Sequence, residues 1–184
     1  MKVKVAETAG FCFGVKRAVD RVYQLIEAGT HPIYTLGPII HNEEVVSDLA
    51  AKGVQVIEEK DLTSLADGTV VIRSHGVGKA IYQELEQNHL DYVDVTCPFV
   101  LKIHRIVAKQ SLAGKHIVIF GDPDHPEVKG ICGWCEGSYT VLKNREDAEQ
   151  FIPPTEKDIC VVSQTTFNYN KFKELVEILC KKRY

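Results

Sequence analysis

The apolar positions of the chain alternate between a helical and a strand-like period. Val15, Ala18, Val19, Val22, Leu25 and Ile26 recur at helical spacing and stop at Gly29, which predicts a helix over 15–28. Short apolar runs predict strands at 3–5, 33–36, 54–57, 69–73 and 92–95, with a helix over 79–88 before the last of them. Asn42 is placed to cap a helix running to Lys52, with Gly53 just beyond it. In the second half, a helix over 98–112 ends at Gly114 and is followed by a fully apolar strand core at 116–120. Further strands are predicted at 139–142 and 159–162, separated by a short helix at 145–150. Asn168 caps a final helix to about residue 182, with Phe172, Leu175, Val176 and Leu179 on one face. Strands alternating with helices predict α/β layering and mostly parallel sheets.

The pattern runs through the chain twice. Cys12 and Cys97 stand 85 residues apart, as do Val15 and Val100. Gly37 matches Gly121 and His41 matches His125 at a separation of 84, and Glu44-Val45 matches Glu127-Val128 at 83. Val71-Ile72-Arg73-Ser74-His75 falls where Val161-Val162-Ser163-Gln164-Thr165 lies, at a separation of 90. A period this long indicates a duplicated domain rather than a solenoid. The expected architecture is two duplicated small α/β domains, 1–96 and 97–184, pseudo-symmetric about a central site. With no linker rich in Gly or Ser between them, they are expected to pack directly.

Polar residues gather at the matched corners. Cys12 lies in Ala9-Gly10-Phe11-Cys12-Phe13-Gly14-Val15 and Cys97 in Asp94-Val95-Thr96-Cys97-Pro98-Phe99-Val100, each between a strand-like run and an amphipathic helix. The orphan N–H groups and positive dipole end of a helix favour thiolate there, and thiolates ligate metals. Two thiolates presented alike read as two ligands of one centre. In open α/β sheets ligands bind beyond the carboxyl ends of the strands. Cys12, His41, His75, Cys97, His125 and Thr165 are all expected there, lining one site between the domains. Imidazole N–H groups with a threonine hydroxyl suit an anion such as a phosphate. Glu127 is either a proton donor or relay, or simply a charge on the first turn of a helix. His31, His89, His104 and His116 read as solvated or structural, and Cys160 and Cys180 as packing residues.

Composition narrows the classes. A net charge of −3 with mixed signs and no basic stripe argues against nucleic acid as a partner. No apolar run is long enough to span a bilayer and no signal-peptide pattern opens the chain. Six cysteines without a secretion signal imply a reducing compartment, so a cytoplasmic location is expected. Cys132-Gly133-Trp134-Cys135 is a C-x-x-C, which by itself fits thiol redox chemistry or half a zinc site. No second C-x-x-C or closely spaced His pair completes such a zinc site.

Taken together, the stretches Gly10-Phe11-Cys12-Phe13-Gly14-Val15, Leu36-Gly37-Pro38-Ile39-Ile40-His41-Asn42, Ser74-His75-Gly76-Val77, Asp94-Val95-Thr96-Cys97-Pro98, His125-Pro126-Glu127-Val128 and Ser163-Gln164-Thr165-Thr166 resemble the 4-hydroxy-3-methylbut-2-enyl diphosphate reductase family. The resemblance implies a [4Fe–4S] cluster held by three cysteines, two of them Cys12 and Cys97. It implies diphosphate binding or proton guidance by His41, His75, His125 and Thr165, with His125 and Glu127 as the catalytic pair and Glu127 as the source of protons. An external electron donor of ferredoxin or flavodoxin type is implied as a partner. The family's fold is three similar α/β domains, so a third domain, with the third cysteine ligand, is expected to be absent from this chain. Two other readings stay open: a thiol-redox or zinc-binding module using Cys132 and Cys135, and a non-catalytic phosphate-binding α/β module.

Overall fold

β1 (Ile33–Leu36) is the central strand of the first sheet because every residue of it finds a covered side. It pairs in parallel with β2 (Val54–Ile57) on one edge and β3 (Thr69–Ile72) on the other, and β3 pairs with β4 (Asp91–Asp94). The order is therefore β2-β1-β3-β4. The computed structural model describes residues 2–7 and 9–183. It divides into two units, one formed by Met1–Ser74 and Leu85–Cys97, the other by His75–Glu84 and Pro98–Tyr184. Helix α3 (Lys79–Gln87) passes from the second to the first.

In the first unit, α1 (Phe13–Glu27) lays Ala18, Val19, Val22 and Leu25 against Ile33, Val54, Val71 and Val95. α2 (Glu43–Ala51) adds Leu49 to the same cluster and starts where Asn42 accepts a hydrogen bond from the Val45 N–H at 3.1 Å. A 3₁₀ turn at Glu59–Ser64 follows β2 and buries Leu62; no apolar period announces so short a segment. Residues 2–6 are not a strand, contrary to the expectation for 3–5. Val3 and Val5 alternate as a strand would, but they are 80% and 77% exposed. A strand exists only where its N–H and C=O groups meet a ladder, and none of the paired strands runs beside this segment.

The second unit repeats the plan. Helix α4 (Pro98–Leu112) leads to β5 (His116–Phe120), which pairs in parallel with β6 (Tyr139–Leu142) and β7 (Ile159–Ser163) in the order β6-β5-β7. Side chains of β5 alternate between two cores. Ile117 and Ile119 join Val107, Val128, Ile131 and Val162 on one face. Val118 and Phe120 join Leu142, Ala148, Leu175 and Leu179 on the other. The last three come from α6 (Arg145–Gln150) and α7 (Tyr169–Arg183), whose first turn is capped by Asn168. With both faces covered, β5 has no solvent side and reads as a continuous apolar run. α5 (Pro126–Cys132) stands where α2 stands in the first unit. The apolar pattern does not announce it, because seven residues including Gly130 leave no measurable period. Cys180 corrects a second expectation: it is exposed on α7 rather than packed.

Both sheets hold their first strand between the second and third, so a crevice opens beyond the carboxyl ends of β1 and β3, and of β5 and β7. The fold is α/β with parallel sheets. Phe120 is fully buried, with ring contacts to Phe167 at 6.0 Å and Phe172 at 5.6 Å. Phe120→Ala is expected to lower stability by about 3–5 kcal/mol in urea unfolding; a loss below about 1 kcal/mol would contradict this account of the second core.

Candidate active site

In the first unit the two motif cysteines are brought together at helix starts. Cys12 is the N-cap of α1, with extended backbone and no side-chain capping bond, so its sulfur is not spent on the helix. Cys97 precedes Pro98 at the start of α4, and its N–H donates to the Ser74 carbonyl at 2.9 Å. A Cβ placed on Gly14 would stand 2.9 Å from the Cys97 sulfur, so that sulfur lies against the first turn of the helix that Cys12 begins. Cys12 is exposed and Cys97 half-buried. Cys12 follows irregular chain rather than the strand expected before it. His41 lies exposed on the loop after β1 and lines a surface cavity of about 470 Å³ with Pro38, Ile40, Asn42 and Glu43.

That loop turns on Gly37, whose φ of +70° favours glycine. A Cβ there would run into the Arg73 guanidinium. Burial holds the Arg73 pKa below the ordinary guanidinium value, against the opposing pull of Glu59. Arg73 escaped the motif reading because its neighbour in space is 36 positions away along the chain (73 − 37).

The second unit gathers the other residues into one chain of contacts. Glu127, on the first turn of α5, is 2% exposed. Its Oε1 accepts the Thr165 N–H at 2.6 Å and its Oε2 accepts the Thr165 hydroxyl at 2.8 Å. The N–H of Glu127 donates to Nδ1 of His125 at 3.1 Å, which makes His125 the N-cap of α5. A backbone N–H can only donate, so in a neutral ring the proton sits on Nε2, free to point at a ligand. The His75 ring meets the His125 ring edge-on at a centroid distance of 5.4 Å.

Glycines let these elements close up. Gly121 begins the turn after β5, where a Cβ would be 2.7 Å from Val128. Gln164 braces the same turn, accepting the Asp122 N–H at 3.3 Å and donating to the Thr166 hydroxyl at 2.9 Å. The loop carrying His75 lies on α5 through backbone. A Cβ on Gly133 would be 2.6 Å from the Gly78 Cα, and one on Gly130 would be 3.4 Å from Gly76. The Trp134 indole N–H donates to the Val77 carbonyl at 2.9 Å, and Lys79 pairs with Glu136 at 2.5 Å.

The family model described as LytB protein matches residues 3–184. The chain belongs to the LytB family. A relative from Alkaliphilus oremlandii, named 4-hydroxy-3-methylbut-2-enyl diphosphate reductase, is 45% identical over 99% of this chain and 64% of its own length. One of the same name from Thermoanaerobacter sp. (strain X514) is 48% identical over 97% of this chain and 62% of its own. The LytB chain thus spans just under two thirds of the length of these relatives. Among solved structures, the E-1-hydroxy-2-methyl-but-2-enyl-4-diphosphate reductase from Plasmodium falciparum superposes with a TM-score of 0.88 at 29% identity, covering 96% of this chain and 55% of that one. A second, a (E)-4-hydroxy-3-methyl-but-2-enyl diphosphate reductase described as the terminal enzyme of the non-mevalonate pathway, gives 0.83 at 36% identity, covering 98% and 64%.

The C-x-x-C of this LytB chain is packing. Cys132 ends α5, and with Trp134, Cys135 and Cys160 it fills the core face beneath β5. Burial pushes the Cys132 and Cys160 thiols up, and burial with the neighbouring thiols pushes Cys135 up to about 12. Thiols held there have almost no thiolate at neutral pH and are poor redox nucleophiles and poor ligands. What the motif supplies is Gly133 and Trp134, which seat the His75 loop. His104 and His116 are structural: His104 is buried and stacked on Trp134 at 5.4 Å. His116 contacts the Ser138 and Thr140 hydroxyls at 2.9 Å each, and its pKa is lowered by burial. Iodoacetamide at about pH 8 is expected to label native Cys12 while Cys135 reacts at under about a hundredth of that rate, read by peptide mass spectrometry. Equal rates would contradict the packing role.

Proposed function

We propose that this LytB chain carries two of the three cluster ligands, the diphosphate-binding histidines and the proton-delivering carboxyl of a reductase. The reaction removes the hydroxyl of 4-hydroxy-3-methylbut-2-enyl diphosphate as water, consuming two electrons and two protons. The products are isopentenyl and dimethylallyl diphosphate. The names of the relatives, 42–48% identical, support the substrate. The observation that carries the reading is the Glu127–Thr165 pair. A buried carboxyl is joined through both oxygens to the backbone and hydroxyl of an exposed threonine. That is a route for a proton from a water-poor site, through the Thr165 hydroxyl, to a bound hydroxyl that must leave as water. His125, with Nδ1 occupied by the helix cap, offers Nε2–H to an anion, and His75 packs against it. His41, exposed on the loop after β1 in the first unit, is a further imidazole able to donate to an anion.

Cys12 and Cys97 fit an iron–sulfur cluster as two thiol donors held at helix starts, with Gly14 leaving room for the second sulfur. Among the described residues no group of three or more His, Cys, Asp or Glu is arranged to hold a metal ion. When bound, a [4Fe–4S] cluster supplies the electrons, delivered by an external ferredoxin- or flavodoxin-type donor, and an iron to take the hydroxyl oxygen. No helix among the described residues is long and apolar enough to cross a membrane, and a cytoplasmic setting accords with the reduced cysteines.

The test is steady-state reduction by the chain completed with the C-terminal third of the Alkaliphilus oremlandii relative, assayed anaerobically with an artificial donor. Glu127→Gln is expected to lower kcat by about 10²–10⁴-fold with KM little changed. His125→Asn keeps an oxygen to cap α5 but loses the Nε2–H donor, and is expected to raise KM about tenfold or more. A Glu127→Gln protein turning over at the parental rate would overturn the proton role.

A further inference from the structure

The first unit must bring a sulfur from the start of one helix against the start of another, and two residues with no chemistry of their own accomplish it. Gly14 is buried on the first turn of α1, and the space its missing side chain leaves is where the Cys97 sulfur lies, 2.9 Å from the position a Cβ would take. The Cys97 Cβ lies 3.3 Å from the same point, so the contact involves the whole side chain rather than a freely turning sulfur. One helical turn beyond Gly14, Arg17 donates from Nη2 to the carbonyl of Thr96, the residue before Cys97. The Arg17 Nε is buried without an acceptor. A guanidinium in water would satisfy every N–H, so this placement depends on packing and on the Thr96 bond.

The Thr96 segment is pinned from two other sides. Its N–H donates to the Asp94 carboxylate at 2.8 Å, and the Cys97 N–H donates to the Ser74 carbonyl at 2.9 Å. Those bonds tie the segment to its own sheet. Beside the packing of Val95 on α1, Gly14 and Arg17 tie it to that helix, which Cys12 caps and which is rigid over the five positions from Cys12 to Arg17 (17 − 12).

We infer that Gly14 and Arg17 are positioning residues that set the spacing of the Cys12 and Cys97 sulfurs, Gly14 by leaving room and Arg17 by holding the Thr96 carbonyl. The inference rests on the reading of these two thiols as a pair, and its test needs no cluster and no turnover. Dibromobimane alkylates one thiol and then closes on a second only if that thiol is a neighbour. The closing step is intramolecular and steeply sensitive to geometry. The 184-residue chain is treated with it under reducing-agent-free anaerobic conditions, and the Cys12–Cys97 bridged peptide is counted by mass spectrometry. Yields are normalised to single alkylation of each cysteine by monobromobimane, and far-ultraviolet circular dichroism checks the fold.

The parent is expected to give the bridged peptide. Gly14→Ala is expected to cut the normalised yield about tenfold and Arg17→Met about threefold, while Arg17→Lys, which keeps a donor for the carbonyl, stays within about twofold of the parent. Arg17 is only partly buried, so Arg17→Met and Arg17→Lys decide the matter even if Gly14→Ala fails to fold. A parent that bridges with folded Gly14→Ala and Arg17→Met proteins that bridge equally well overturns this inference and leaves the thiol pair standing. A parent that does not bridge overturns the pair itself.

Discussion

Glu127 is the constraint on which the second unit turns. A carboxyl group removed from water costs free energy unless its oxygens are hydrogen-bonded. Both oxygens of Glu127 are engaged by a single residue, Thr165. That requirement locks the start of α5 to the end of β7, which are 38 residues apart in the chain. It also fixes where the turns must lie. His125 has to cap α5, Gly121 has to pass under Val128 without a side chain, and Gln164 has to brace the Asp122 turn. The polar groups at the carboxyl end of the second sheet thus gather around a burial problem solved there.

The first unit solves a different problem with the same topology. Its corner at Gly37 packs a desolvated guanidinium, Arg73, where the second unit has Ser163. It presents thiols at two helix starts, Cys12 at α1 and Cys97 just before Pro98 of α4. The two units share one frame and differ in the groups it holds: thiols, a histidine and a cation in one, two histidines and a carboxyl in the other. Glycine recurs where backbone approaches backbone or sulfur, at Gly14, Gly130 and Gly133. At Gly14 and Gly133 a methyl group would crowd the Cys97 sulfur and the backbone of the His75 loop.

Much of the frame could be read from the chain because its signals are local. Apolar runs and caps such as Asn42 and Asn168 report on a few residues at a time, and the strands at 33–36, 54–57, 116–120 and 139–142 lie where the runs place them. The matched corners were visible as a repeat. What stayed hidden is non-local. Residues 3–5 carry strand alternation without a ladder to join, and α5 is too short to show a period. The pairing of Glu127 with Thr165, the seat of Trp134 on Val77 and the reach of Arg17 to Thr96 depend on which elements the fold makes neighbours. The C-x-x-C misleads for the same reason: spacing shows two cysteines, and only packing shows that Gly133 and Trp134 between them carry the structural load.

The central claim is that the thiols at the two helix starts, and not those of the C-x-x-C, serve the iron chemistry. Iron and labile sulfide counts after anaerobic reconstitution of the chain completed with its relatives' C-terminal third decide it directly. About four irons per chain are predicted in the parent and in Cys132→Ser/Cys135→Ser, and a loss of iron in Cys12→Ser and Cys97→Ser. A folded Cys132→Ser/Cys135→Ser protein that loses its iron while Cys12→Ser keeps it would contradict the account.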